Sequence, residues 1–368
     1  MTAQLGFGCM RLPMIGGPEG EVDLAEFSRM VDAYLGAGFR YFDTAHVYLA
    51  GKSETAIREA LVRRHPRSSF FLTDKLSGSC FNSEVDILSV FQAQLAACGV
   101  DYFDCYLMHS QTAEVYAKFQ KFRAYEIAAE LKAAGKIRRI GISFHDKPDV
   151  LRRILTEHPE VEVVQIQLNY LDFDNPSVES GAVYDVCREF GKPVLVMEPV
   201  KGGALADLPN EAAAVLSGLG GGSPASYALR YCAGFDGVEM ILSGMSTDGQ
   251  MADNLATMAA PQPLSGAERA AIARVREILH AQDAIGCTGC RYCVPGCPMG
   301  IAIPDLFSCL NAFKKYHDWS SNYYYSVSTH GRARASECVR CGQCARICPQ
   351  HLAIPDLLVQ VAETFETA

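Results

Sequence analysis

Eight short runs dominated by apolar and β-branched residues recur along the chain: LGFGCM from Leu5, RYFDT from Arg40, FFLTDK from Phe70, DCYLMH from Asp104, RIGISF from Arg139, VVQIQL from Val163, VLVME from Val194 and EMILSG from Glu239. Between most of them lie stretches with apolar positions at helical spacing, such as SETAIREAL from Ser53 and AYEIAAELKAAGK from Ala124, the latter closed by Gly135 with Lys136 beyond it. Strand and helix therefore alternate, as in an α/β fold. Asp43, Lys75, His109 and Ser143 end successive runs at separations of 32, 34 and 34 residues. Eight such βα units in ~250 residues predict a TIM (β/α)8 barrel. A doubly wound open sheet is the alternative, but it would open with G-x-G-x-x-G after its first strand, and Gly6 and Gly8 do not continue that pattern.

In a barrel, polar residues at the carboxyl ends of strands face the active-site mouth. Here those ends carry Asp43, Lys75, His109, Ser143, Gln165 and Glu198. Each alone reads as a solvated rim residue. Together with Tyr48, five residues after Asp43, they suggest a mechanism. A tyrosine with its ordinary pKa of ~10 donates a proton poorly near neutrality unless a nearby cation stabilises the phenolate. In this reading Lys75 supplies the cation, Asp43 on the neighbouring strand holds the lysine charged, and His109 orients a substrate carbonyl. His46 and His145 read as structural as readily as mouth-lining. Cys9 and Cys105, within apolar strands, are expected to be buried and inert. GLGGGSP from Gly218 reads as a loop entering a helix, with Ser223 as N-cap and Pro224 at its first position, rather than as a phosphate loop.

Composition adds a second domain. The chain has 368 residues, 49% hydrophobic and 20% charged, enough for roughly two domains. Thirty-three Lys and Arg against 42 Asp and Glu leave a net charge of -9, which disfavours nucleic acid and anionic membrane as partners. The longest uncharged stretch, residues 212–229, contains Gly218, Gly220, Gly221, Gly222 and Pro224, so no transmembrane candidate emerges. The first eleven residues lack an export pattern, and a reducing cytoplasm is the expected location. Nine of the 15 cysteines fall between Cys287 and Cys348, and the residues from 281 onward are electrically balanced. We therefore expect a barrel over residues 1–280 and a smaller cysteine-rich domain over 281–368.

Cys287, Cys290, Cys293, Cys297 and Pro298 spell C-x-x-C-x-x-C-x-x-x-C-P, and Cys338, Cys341, Cys344, Cys348 and Pro349 spell it again. Three thiolates at this spacing wrap three corners of a cubane cluster, and in two-cluster ferredoxins the fourth cysteine of each run ligates the other cluster. The expected ligand sets are Cys287, Cys290, Cys293 with Cys348, and Cys338, Cys341, Cys344 with Cys297. Structural zinc, which favours two separated C-x-x-C pairs, suits the pattern poorly, and disulfides suit neither compartment nor spacing. CPMGIAIPDLF from Cys297 and CPQHLAIPDLL from Cys348 form an internal repeat, each leading into a helix start at Pro304-Asp305 and Pro355-Asp356. FSCLNAFKKY between the runs has helical spacing, giving a mainly helical domain similar to the ferredoxin domains of fumarate reductase subunits. Cys309 falls outside both runs and is expected in a core, and WSSNYYYS from Trp319 is expected to serve domain packing.

FDTAHVY with Asp43 and Tyr48, the strand ending in Lys75, and YLMH with His109 resemble the catalytic tetrad of the aldo-keto reductases. The resemblance runs over residues 5 to 280. It implies that a hydride passes from NAD(P)H to a carbonyl carbon of a small-molecule substrate while Tyr48 protonates the oxygen, with Lys75 and Asp43 tuning it and His109 positioning the substrate. GKSE from Gly51, GISFH with Ser143, Gln165, MEPVKGG with Met197, Gly202 and Gly203, and GMSTDGQMADN with Gly244, Ser246, Gln250 and Asn254 fall where the family has cofactor segments. A barrel's usual phosphate site lies in its last two loops, where Gly202 and Gly203 permit close backbone approach and Ser246 is placed to open an anion-attracting helix. Phe144 stands where well-known members have an Asn on the nicotinamide amide, Met197 where they stack a Tyr, and Gly244 and Gln250 where many NADPH-specific members have Lys and Arg.

The whole chain resembles aldo-keto reductase-like oxidoreductases with a C-terminal two-cluster 4Fe-4S domain, found mostly in anaerobes. Three functions fit. The first is an NAD(P)H-dependent carbonyl reductase whose clusters serve folding, sensing or docking. The second is an oxidoreductase in which a ferredoxin or other redox protein feeds the clusters, which pass electrons to a barrel-bound flavin or substrate. The third is an electron-transfer or redox-sensing module on a non-catalytic barrel.

Overall fold

The computed structural model describes residues 4–17, 20–175, 178–281, 284–316 and 320–366. All eight apolar runs are strands: β1 (Gln4–Gly8), β2 (Tyr41–Asp43), β3 (Phe71–Leu76), β4 (Phe103–Gln111), β5 (Ile137–Phe144), β6 (Val163–Gln167), β7 (Val194–Met197) and β8 (Val238–Ser243). They close into a barrel in which β1 pairs with both β2 and β8 and every neighbour is parallel. The α/β barrel of the sequence reading is therefore the observed fold. Register brings the strand ends to one level: Gly8 pairs with Asp43, Asp43 with Thr73, Lys75 with Leu107, and Ser143 with Gln165.

Alternation along each strand separates two apolar layers. Tyr41, Cys105, Leu107, Val163, Leu195, Met240 and Leu242 fill the barrel interior. Phe42, Leu72, Tyr106, Ile142, Ile166, Val196 and Ile241 belong to the larger core with the surrounding helices. Burying each such side chain contributes ~1.5–3 kcal/mol. The helix Ala124–Ala133 ends as its sequence predicts, with Gly135 left-handed just beyond, and Ser83 caps the helix Glu84–Cys98 by accepting from the Asp86 amide. A hairpin of two-residue strands, Met14–Ile15 and Glu21–Val22, was too short to leave a period in the sequence.

By contacts the chain divides into two compact units, Met1–Val200 with Ala225–Leu264, and Lys201–Pro224 with Ser265–Ala368. The second draws in residues 201–224 and 265–280 because the helix Asn210–Ser217 packs on the helix Gly266–Ala281. The helix after the glycine-rich loop does begin at Pro224. The second unit is mainly helical: Ile303–Tyr316 and Ile354–Phe365 start at the two repeated I-P-D segments and share a core of Ile301, Leu306, Phe307, Leu310, Leu358 and Val361, with Cys309 buried in it. The repeated aspartates are each ion-paired, Asp305 with Arg291 at 2.9 Å and Asp356 with Arg340, although the two arginines stand at different places in the repeat. Trp319 lies outside the described residues; of its aromatic run, Tyr325 is buried and stacks on Phe365 with ring centroids 4.8 Å apart. Among the described residues no helix is long and apolar enough to cross a membrane.

Gly141 shows how tightly the barrel is filled. A Cβ there would stand 2.6 Å from both Leu107 Cδ2 and Val163 Cγ1 and 2.7 Å from the Val163 carbonyl oxygen. Gly141→Ala is expected to lower the unfolding free energy by ~1–3 kcal/mol, the usual cost of overpacking. Thermal unfolding of the variant checks this, and an unchanged midpoint would count against a rigid barrel interior.

Candidate active site and cysteine hollows

Lys75 projects from β3 into the barrel mouth and is fully buried. Its Nζ donates to Asp43 Oδ1 at 2.5 Å, to the Thr44 carbonyl at 2.7 Å and to the Tyr48 hydroxyl at 3.1 Å. A buried ammonium is tolerable only when paired and hydrogen-bonded in this way. Asp43 is held from its other side by Gln165 Nε2, which donates to Oδ2 at 3.0 Å. His109 completes the group. Its ring meets that of Tyr48 edge-on at 5.8 Å, and its Nδ1 lies 2.6 Å from Ser77 Oγ. All four tetrad positions predicted from sequence thus converge.

The turn that delivers Tyr48 is strained. Leu49 and Ala50, directly after it, have φ of 52° and 54°, and Gly51 follows at 87°. Non-glycine residues in this region cost about 1–3 kcal/mol each. The loop is anchored by Thr44 Oγ1 and Ser53 Oγ at 2.7 Å and by Ser53 Oγ donating to the Cys9 carbonyl at 2.8 Å. Strain of this kind is maintained where surrounding contacts over-determine the backbone.

Burial, and then the Asp43 carboxylate, push the Tyr48 phenol well above its ordinary pKa, with Arg11 opposing. The expected lowering by Lys75 is not what the pocket shows, because that ammonium is already shared with Asp43 and the Thr44 carbonyl. Burial first, then the charges of Lys75 and His145, hold His109 well below its ordinary value, so the imidazole is neutral near neutral pH. Burial also raises the Cys9 and Cys105 thiols, consistent with inert cysteines.

The predicted cofactor residues lie at several strand ends. Ser143 Oγ accepts from the Ser110 amide at 2.7 Å, and Asn254 Nδ2 donates to Ser243 Oγ at 2.7 Å. Met197 closes β7, and Gly244 follows β8 with room for a Cβ at 3.6 Å from the Arg11 side chain. Ser246 does not itself open the helix Asp248–Ala259. Thr247 does, in extended conformation with its side chain accepting from the Gln250 amide, while Ser246 N donates to Gln250 Oε1 at 2.7 Å and Ser246 Oγ to the Arg11 carbonyl. Gly202 and Gly203 belong to the second unit. The close approach Gly202 permits is to Thr288, whose carbonyl oxygen would lie 2.6 Å from a Cβ.

Four contributors escaped the sequence reading. Ser77 engages His109, and Thr44 offers Lys75 a carbonyl. Gln94 donates to both Asp74 Oδ1 and the Lys75 carbonyl, and Tyr106 donates to Gln94 Oε1 at 2.6 Å. Thr44 and Tyr106 lie within FDTAHVY and YLMH but were not singled out, Ser77 and Gln94 have no motif, and Gln94 lies 19 residues from Lys75 on the following helix.

In the second unit the eight cysteines gather around two hollows. Cys297, Cys338, Cys341 and Cys344 line one, and Cys287, Cys290, Cys293 and Cys348 line the other. Burial and the neighbouring Cys290, Cys287 and Cys348 raise the Cys293 thiol; burial, with Cys338 and Cys297 nearby, raises Cys344. Four thiols lining one hollow suit an iron–sulfur cluster, whose cationic irons offset mutual thiolate repulsion. Among the described residues no three His, Cys, Asp or Glu side chains are placed to hold a single metal ion.

Comparison with known proteins places both parts. The aldo/keto reductase family model matches residues 4–277, and a 4Fe-4S dicluster domain matches residues 286–353. An aldo-keto reductase of Mycolicibacterium smegmatis is 30% identical over 195 residues, which are 51% of this chain and 68% of that protein. An NADH-specific methylglyoxal reductase of Escherichia coli is 29% identical over 211 residues, covering 52% of this chain and 62% of its own. The holo form of an aldo-keto reductase from Bacillus halodurans superposes with a TM-score of 0.60 at 26% identity, covering 74% of this chain and 92% of that one.

The network under Lys75 carries a pH signature. Burial, then Glu54, raise the Asp74 carboxyl well above its ordinary range, so the folded chain keeps a proton that the unfolded chain releases above about pH 4. Folding is therefore penalised increasingly as pH rises from there towards the folded pKa. Asp74→Asn keeps an acceptor for Lys75 N and has no proton to release. Its stability relative to the natural protein is expected to improve between pH 5 and pH 8 in urea unfolding, and a pH-independent difference would refute the assignment.

Proposed function

The chain belongs to the aldo/keto reductase family and continues into a C-terminal 4Fe-4S dicluster domain, and from that premise we propose an NAD(P)H-dependent reductase of a small carbonyl compound carrying two 4Fe-4S clusters. The observation that carries the reading is the buried Lys75 ammonium shared between Asp43 and the Tyr48 hydroxyl. We assign the barrel to residues 1–280 and the cluster domain to 281–368.

NAD(P)H supplies a hydride when bound. Tyr48, kept protonated by its surroundings, donates its proton to the substrate oxygen as that oxygen gains charge. Its own oxygen then accepts more strongly from Lys75 Nζ, and Asp43, fixed by Gln165, balances the ammonium. Neutral His109, with Nδ1 accepting from Ser77, offers Nε2–H to the same carbonyl and fixes its direction. Ser143, Gln165, Met197, Gly244, Ser246, Gln250 and Asn254 are the candidates for holding the dinucleotide. The capped start of the helix Asp248–Ala259, beside Arg11, suits its phosphates.

The clusters would be held by Cys287, Cys290, Cys293 with Cys348, and by Cys338, Cys341, Cys344 with Cys297, as the two hollows group them. Those hollows also favour a second reading, in which electrons reach the barrel through the clusters. A hydride carries two electrons and each cluster one, so that route needs a carrier able to split the pair, a flavin for example.

Two measurements test the proposal. Tyr48→Phe is expected to lower kcat/KM for NAD(P)H-dependent reduction of an α-oxoaldehyde such as methylglyoxal by ~10²–10⁴-fold, the usual worth of general acid catalysis; full activity in the variant would reject the tetrad. Anaerobically purified protein should contain about eight irons per chain and no flavin, Cys344→Ser should retain about half of the iron, and stoichiometric flavin would instead favour the second reading.

A further inference from the structure

The two cysteine runs are one motif used twice, so their positions can be compared in pairs: Thr288 with Val339, Pro295 with Arg346, Gly296 with Ile347, and Met299 with Gln350. Two of the pairs, Thr288 with Val339 and Met299 with Gln350, have opposite fates, while the other two are exposed in both runs. Around the hollow of Cys287, Cys290, Cys293 and Cys348 the wall includes Thr288 and Gln350, exposed by only 5% and 4%. Around the other hollow the same places hold Val339 and Met299, exposed by 59% and 37%, and Cys341 is itself exposed.

The closed side has an identifiable cover. Lys201, buried and held at φ 46°, donates from Nζ to Gln350 Oε1 at 3.2 Å, and Gly202 presses on the Thr288 backbone. The sequence of the open side is basic: between His330 and Gln350 it carries four arginines, at 332, 334, 340 and 346, and one carboxylate, Glu337, in a chain whose net charge is -9. Arg340 is tied to Asp356. The Arg346 guanidinium stands beside the wall residue Gly342, 3.7 Å from where a Cβ there would be. Arg346 and the 53% exposed Ile347 occupy places where the first run has Pro295 and Gly296.

We propose that the hollow of Cys297, Cys338, Cys341 and Cys344 is an electron port, on which a small acidic one-electron redox protein docks against Val339 and Met299 and is steered by Arg346. An apolar contact with a cationic edge suits a transient redox encounter, where charge complementarity sets the on-rate more than the affinity. In the step one electron leaves the reduced centre of the partner and is taken up at this hollow. The partner is oxidised by one electron, the acceptor is reduced by one, and no bond or proton moves. The inference rests on the reading that the hollows hold 4Fe-4S clusters and adds which of the two meets the partner.

The test uses the full, anaerobically purified chain. A reduced acidic bacterial ferredoxin is mixed with it, and bleaching of the acceptor clusters is followed by stopped-flow absorbance at several ionic strengths. The second-order rate should fall with added salt. Arg346→Glu and Met299→Glu, in different halves of the repeat, should each lower it about tenfold or more, while Arg152→Glu on the barrel surface leaves it unchanged. Iron content and reduction by dithionite should match the natural protein, which separates docking from cluster loss. Natural rates in both hollow variants, or a rate insensitive to salt, would overturn the port with the clusters intact. A natural protein without iron would overturn the cluster reading itself.

Discussion

A fully buried lysine organises the barrel mouth. Placing the Lys75 ammonium out of water is costly unless its charge and its three donors are satisfied, and the three partners come from different places: Asp43 and Thr44 at the end of β2, and Tyr48 from the strained turn beyond. That demand explains the register between β2 and β3, the pin of Gln165 on Asp43, and the clamp of Gln94 and Asp74 on the Lys75 backbone. It also explains why left-handed backbone at Leu49 and Ala50 is sustained, since relaxing it would withdraw the phenol from the ammonium.

The same arrangement gives neighbouring groups different protonation states. Burial raises the Tyr48 phenol and lowers the His109 imidazole, so at rest the first is protonated and the second neutral. The charge of Lys75 is balanced by Asp43, and the Tyr48 hydroxyl is a further acceptor of the same ammonium.

The second unit solves a different problem, bringing eight thiols together without a large core. It does so with a duplicated segment in which each run contributes three cysteines to one hollow and its fourth to the other, so neither half can be completed alone. Duplication would leave the two hollows alike. The segment Lys201–Gly203, from a distant part of the chain, breaks that symmetry by covering Thr288 and Gln350. Of the glycine pair there, Gly202 makes a close backbone approach to Thr288.

The barrel was legible in the sequence because strand length, apolar runs and the near-constant interval between Asp43, Lys75, His109 and Ser143 are all local or periodic properties. The cysteine runs were legible for the same reason, since the spacing of ligands within a short loop is fixed by covalent geometry. What the sequence did not display were partners set by tertiary closure: Ser77 on His109, Gln94 under Lys75, Thr247 rather than Ser246 as the cap, and Gly202 against Thr288. These pairs lie on different elements with no fixed interval between them. The sequence by itself determined which groups the protein carries and the repeat that orders them; only the tertiary structure decided which lone pairs they satisfy, and so that Tyr48 rests protonated, because burial and pairing are properties of closed space rather than of chain position.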